Sequence, residues 1–306
     1  MNKYECPDRI YKYLSFDGLC KTLTNGTFRL SRPSDFNDPL DMYLQAAYGK
    51  DRKAFFEDLR KAFLSLFEHE NDLSSLPDSP YRAAITSIGT DLKKASPDQR
   101  AYLCEQMLHT PIEKMYDLKK LEQTEQEVLS FVRQSFEFDG VFCSTTDFNS
   151  LLMWAHYAER HYGAVIEFTP SQEKDSVFLA SKKVKYSNER PVLYATAQEF
   201  VLHGVTMTET ESAKVILDKL IYTKSSDWQY EQEYRLYVPF CIKPSRDFAT
   251  LEYHPEELTS VFLGCRMSQQ NTEMAIALAK AINSLVVIYK ACPTPRDFGL
   301  NFEKIS

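Results

Sequence analysis

Two glutamates stand two residues apart in WQYEQEYRLYV, residues 228–238. On a β-strand, alternation places Glu231, Glu233, Arg235 and Tyr237 on one face and Tyr234, Leu236 and Val238 on the other. Carboxylates side by side can stabilise a developing cation, hold a sugar hydroxyl, or share a proton if buried. The same pattern also suits a solvated strand face on which Glu233 and Arg235 answer charges on the next strand.

Three further stretches carry polar groups in suggestive places. In SRPSDFNDPLD (31–41) Asp38 suits a helix N-cap, Pro39 the first helical position and Asp41 the third. A cap leaves Asn37 unexplained, along with Ser31, Arg32, Ser34 and Asp35, so a loop that also contacts ligand is the second reading. In FCSTTDFNSLLMWAHYAERHYG (142–163) a strand ends in Ser144, Thr145 and Thr146, and a helix follows, capped by Asp147 or Asn149. Met153 and Tyr157 share one face of that helix, and Leu152 and His156 another. Met153 and Trp154 read as core residues. His156 reads either as a surface histidine or as an acid–base group. In IYKYL (10–14) Tyr11 and Tyr13 face the same way, able to sandwich a flat ring or simply to pack.

Composition narrows the chemistry. With 36 Lys and Arg against 43 Asp and Glu, the 306-residue chain has a net charge of -7, which argues against a protein that coats phosphate backbones. None of the nine glycines lies within six positions of another, so the glycine-rich dinucleotide and P-loop cradles are both missing. The six histidines form no H-E-x-x-H, and His156 and His161 are wrongly spaced for one helical face, which removes a histidine zinc centre but leaves oxygen-ligand sites open. Seven scattered cysteines without C-x-x-C spacing fit reduced thiols. The start MNKYECPDRI lacks a secretion signal and no apolar stretch approaches the roughly 20 residues that span a bilayer, so the expected location is cytoplasmic, with no membrane partner.

The elements that must position these residues follow from periodicity. Residues 10–32 read as strand, helix and strand, the helix closing at Gly26. From 51 to 136 the periods turn helical, as in KAFFEDLRKAFLSLF with Phe55, Leu59, Phe63 and Leu66 in step, broken at LPDSP and near SPDQ and TPIE. Strand character returns at GVFCSTT, GAVIEF and KKVKYS, then at EYRLYVPF, SVFLG and LVVIY, with helices near 196–223 and 271–284. A 43% hydrophobic content is enough for a substantial core. The expectation is one α+β domain over 1–306, with a mixed or antiparallel central sheet and a helical insertion at 51–136.

In order, YKYLSF, FNDPLD, FCSTTDFNSLLMWAHY, GAVIEF, VKYSNERP and KSSDWQYEQEYRL resemble an uncharacterised bacterial family, the domain of unknown function twenty-nine seventy-one. Its N-D-P-x-D, M-W-x-x-Y and W-x-Y-E-x-E-x-R patterns cover most of the chain outside the helical insertion. More loosely, the strand, helix and strand opening, the S-T-T strand and the E-x-E strand resemble ADP-ribosyltransferases, which bind NAD without a glycine-rich loop. That resemblance implies an ADP-ribosyltransferase-like fold and NAD as substrate, with Glu233 on the nicotinamide ribose and Glu231 orienting or activating a protein or nucleic-acid acceptor. Ser144 and Thr146 would position the ribose and the acidic strand, and Tyr11 or Tyr13 would flank the nicotinamide. Lys12 replaces the usual first-strand histidine or arginine, so the anion-binding role would pass to Arg29 or Arg32. Asn37, Asp38 and His156 complete the candidate NAD contacts. The expected activity is ADP-ribosyl transfer or NAD hydrolysis, in a toxin, defence or housekeeping role. One alternative is a magnesium-dependent nuclease using Asp38, Asp41, Glu231 and Glu233, and another is a sensing or adaptor module without catalysis.

Overall fold

The computed structural model describes residues 6–68, 94–243 and 245–306. The LPDSP break and the middle of the expected insertion lie outside these residues. In chain order the chain opens with β1 (Ile10–Leu14), α1 (Phe16–Asn25) and β2 (Thr27–Leu30). Helices α2 (Arg52–Glu68), α3 (Pro97–His109), α4 (Ile112–Met115) and α5 (Leu118–Ser135) come next. They are followed by β3 (Gly140–Thr145), α6 (Leu151–Tyr157), β4 (Ala164–Phe168), β5 (Lys182–Lys183) and β6 (Lys185–Ser187). After α7 (Ala197–Thr206) and α8 (Glu209–Ile221) come β7 (Thr223–Ser225), β8 (Glu233–Val238) and β9 (Ala249–Glu252). The chain closes with β10 (Leu258–Leu263), α9 (Gln269–Ile282), β11 (Val287–Pro293) and β12 (Leu300–Lys304). The protein is α+β.

Two compact units divide these elements. The first comprises residues 1–41, 135–189 and 222–306, and the second 42–134 and 190–221. In the first, an eight-stranded mixed sheet runs in the order β12-β11-β10-β4-β1-β3-β8-β5, with only β10 and β11 parallel. Every residue of the central β4 is buried, because both faces of the sheet are covered. Leu19, Leu23, Phe28, Phe142, Ile166, Phe168 and Ala275 fill one side, whereas Tyr11, Tyr13, Trp154, Val165 and Phe262 fill the other. Helix α1 ends as expected, with Gly26 left-handed at φ 66° and its N–H on the Thr22 carbonyl. In the second unit Phe55, Phe56, Leu59 and Ala62 of α2 pack with Ile112 and Ala197, and Tyr48 stacks on Phe55.

Two local expectations are corrected. No helix begins at Pro39. Instead a short 3-10 turn spans Pro33–Asp35, and Asp38 Oδ1 accepts the Leu40 N–H at 2.9 Å in a side-chain turn that the Asp-Pro pair favours over a helical first turn. Helix α6 is capped by neither Asp147 nor Asn149 but by Ser150, whose hydroxyl accepts from Met153 N.

Candidate functional site

The sheet splits between β1 and β3. Only Tyr11 and Thr145 pair across it, whereas β1 is paired with β4 along all five of its residues and β3 with β8 along all six of its own. Farther down, β3 turns to another partner, Val141 exchanging both backbone bonds with Ser31. Lys12 reaches over, its Nζ donating to the Cys143 carbonyl at 2.7 Å. A cavity of about 260 Å³ opens at this split, lined among others by Tyr11, Lys12, Asn37, Ser144, Glu231 and Glu233.

Its floor is an ionic cluster. Asp41, Lys224, Glu231, Glu233 and Arg235 are all buried, and when all are ionised they sum to one negative charge. Arg235 Nε donates to Glu233 Oε1 at 2.7 Å and its Nη1 to Asp41 Oδ1 at 3.0 Å, and Nη2 bonds both carboxylates. Lys224 Nζ bonds Glu231, donates to Glu233 at 2.9 Å and stands 3.6 Å from Asp41. The Trp228 ring lies 5.2 Å beneath this ammonium, and Phe36 lies 5.4 Å from the Arg235 guanidinium.

Burial alone would raise Glu233, but Arg235 and Lys224 outweigh it and hold its carboxyl well below the usual range. For Glu231 burial wins over the opposing Lys224, and its carboxyl sits above the usual range. Burial works against the Lys224 ammonium, yet Glu233, Glu231 and Asp41 keep it charged beyond the ordinary lysine range. Burial pushes the Tyr186 phenol up to about 12. The two glutamates are therefore inequivalent. Glu233 accepts three bonds from Arg235 and Lys224, with the Cys143 thiol as a fourth donor, against a carboxylate's capacity of about four. Among the described residues Glu231 accepts from Tyr157 and Lys224 only, so acceptor capacity is left over.

The loop Phe36–Asp41 is pinned through the side chains of Asn37, Asp38 and Asp41. Asn37 Nδ2 donates to the Tyr157 hydroxyl at 3.0 Å, Asp38 Oδ2 accepts from the Trp228 indole at 2.8 Å, and Asp41 forks onto Arg235. The three sequence patterns thus interlock: N-D-P-x-D holds one residue of M-W-x-x-Y and two of W-x-Y-E-x-E-x-R.

Of the residues singled out by sequence, Tyr11, Tyr13, Asn37, Ser144, Glu231 and Glu233 line the cavity. The rings of Tyr11 and Tyr13 are packed, one against Phe148 and the other against Trp154. Thr146, bonded to Gln232, Asp38 and the exposed His156 are not among the lining residues. Neither are Arg29, which pairs with Asp35 at 3.4 Å, and Arg32, which donates to the Arg246 carbonyl. Glu231 is not on the strand: it ends a 3-10 turn, and Gln232 is left-handed at φ 45° before β8 starts at Glu233. Sequence reasoning gave Lys224 no role and Tyr157 only a shared helix face. The need for a second cation beside two glutamates and one arginine emerges only once the structure shows all three buried.

Residues 153–236 match the model of a family described as a protein of unknown function, DUF2971. Over that stretch, less than a third of its length, the chain is similar to this family. The matched segment begins at Met153 and ends just past Arg235, so it carries Trp154, Tyr157, Lys224, Trp228, Glu231 and Glu233, whereas the N-D-P-x-D loop lies outside it. Neither the curated proteins nor the solved structures provide a match.

Proposed function

We propose that the chain cleaves the N-ribosyl bond of NAD and passes the ADP-ribosyl group to water or to a protein or nucleic-acid acceptor. The observation that supports this is the crevice at the β1–β3 split, floored by a buried cluster of net negative charge. As the bond to nicotinamide breaks, its electron pair leaves with the ring nitrogen and positive charge develops at the ribose carbon. A fixed, dry anion beside that carbon favours the transition state over the ground state. The incoming nucleophile adds at the same carbon and gives up a proton, and Glu231 takes it, because it retains acceptor capacity and a raised proton affinity suits a base. Glu233, saturated by Arg235, Lys224 and Cys143, holds the cluster together. The cavity is smaller than the ~300–1,000 Å³ common for whole ligands, which suits the nicotinamide ribosyl end alone.

The magnesium-nuclease reading draws less support. The carboxylates it needs are already answered, Asp41, Glu231 and Glu233 by Lys224 and Arg235, and Asp38 by Trp228. The free state of all seven cysteines supports action in a reducing compartment, the cytoplasm, and no helix among the described residues is long and apolar enough to cross a membrane. The test is nicotinamide release from NAD, with and without candidate acceptors. Glu231→Gln should keep NAD binding and lose about 10²–10⁴ in turnover. Magnesium-dependent cleavage of nucleic acid without NAD consumption, or a parent that neither binds nor consumes NAD, would overturn the proposal.

A further inference from the structure

The Tyr157 hydroxyl joins two of the motifs at a single oxygen. It donates to Glu231 Oε1 at 2.6 Å and accepts from Asn37 Nδ2 at 3.0 Å. A phenol carries one proton and two lone pairs, and an amide N–H can only donate. Asn37 therefore occupies a lone pair and leaves the proton no other partner in this pair of bonds than Glu231. We propose that Tyr157 is a positioning residue: with its rotor fixed by Asn37, it holds Glu231 ionised and aimed, while Lys224 takes the other carboxylate oxygen. Burial and the neighbouring Glu231 carboxylate both push the Tyr157 phenol far above its ordinary range, so it offers this proton throughout the working pH range. Charged and titratable groups facing Glu231 are Lys224 from β7, Tyr157 from α6, Glu233 from β8, Tyr186 from β6 and Tyr230 on its own turn. Of these, Lys224 and Tyr157 favour its charged form and Glu233 opposes it.

The kinetic half of this inference rests on the proposed activity, whereas the titration half does not. The titration half uses the full chain labelled with ¹³C at glutamate carboxyls, with the Glu231 resonance identified by its loss in Glu231→Gln. In Tyr157→Phe the Glu231 titration should move up by about one pH unit or more, as for a lost charge-assisted hydrogen bond. Asn37→Asp should move it the same way by competing for the phenol proton, and Asn37 is exposed, so that variant keeps the core intact if Tyr157→Phe does not fold. In nicotinamide release the acid limb of the pH profile should rise by the same amount with KM for NAD unchanged. A merely structural tyrosine would lower the melting temperature without moving the titration, and that result overturns the inference. If the titration moves but no NAD is consumed, the positioning role stands and the proposed activity falls.

Discussion

At the scale of single residues, the site is defined by which charges are already spent on each other. Removing one member of a buried pair leaves its partner uncompensated, at about 3–5 kcal/mol, whereas an exposed pair is worth about 1 kcal/mol or less. Asp41→Asn, which loosens the fork on the fully buried Arg235, should therefore shift the urea midpoint far more than Arg29→Gln, which loses an exposed bridge to Asp35 and a surface contact with the Phe248 ring. Equal shifts would mean that the cluster is not buried in solution. The pH dependence has a definite sign. Glu233 is held below its unfolded value, so its contribution is complete above about pH 4.3 and fades as pH falls through the lower folded value. Lys224 is held above its unfolded value, so its contribution is complete below about pH 10.4 and is lost as pH rises through the higher folded value. Melting curves of the parent should accordingly drop more steeply below about pH 4 than those of Glu233→Gln. The paired glutamates were legible in the sequence. Lys224 was not, because a lone lysine in IYTKSSDW carries no spacing that distinguishes it from a surface residue.

At the scale of elements, what was legible was period, and what was lost was chain direction at the ends. Strand alternation brought Glu231 and Glu233 to one place for the wrong reason: a left-handed Gln232 ends the alternation, and Lys224 gathers the two carboxylates instead. Crowded capping residues caused the other misreadings. TTDFNS has four residue types able to cap α6, and only backbone geometry selects Ser150. Ser150→Ala should cost about 0.5–2 kcal/mol of unfolding free energy, and Asn149→Ala much less. Equal losses in chemical denaturation would return the cap to the residue expected from sequence.

At the scale of the whole molecule, the α+β class and the helical texture of the second unit were legible. No pattern in 42–134 or 190–221 announces that the two belong together, since helical periodicity marks a buried face but not its partner. Seven cysteines, all free in the structure, predict seven titratable thiols in denaturant without reductant. In the native protein Cys6 and Cys143 should react last, Cys6 because it is the buried cysteine and Cys143 because desolvation and Glu233 hold its thiol protonated. Fewer than seven would reveal a bridge that the structure lacks. The split between β1 and β3 has a consequence for inhibitor discovery. A ladder that stops after one pair leaves two strand edges facing a gap, and such edges read any planar amide as though it were the next peptide unit. Fragments carrying an aromatic carboxamide, with neither sugar nor phosphate, would lodge there by completing the seam, provided that they displace Lys12 from the Cys143 carbonyl.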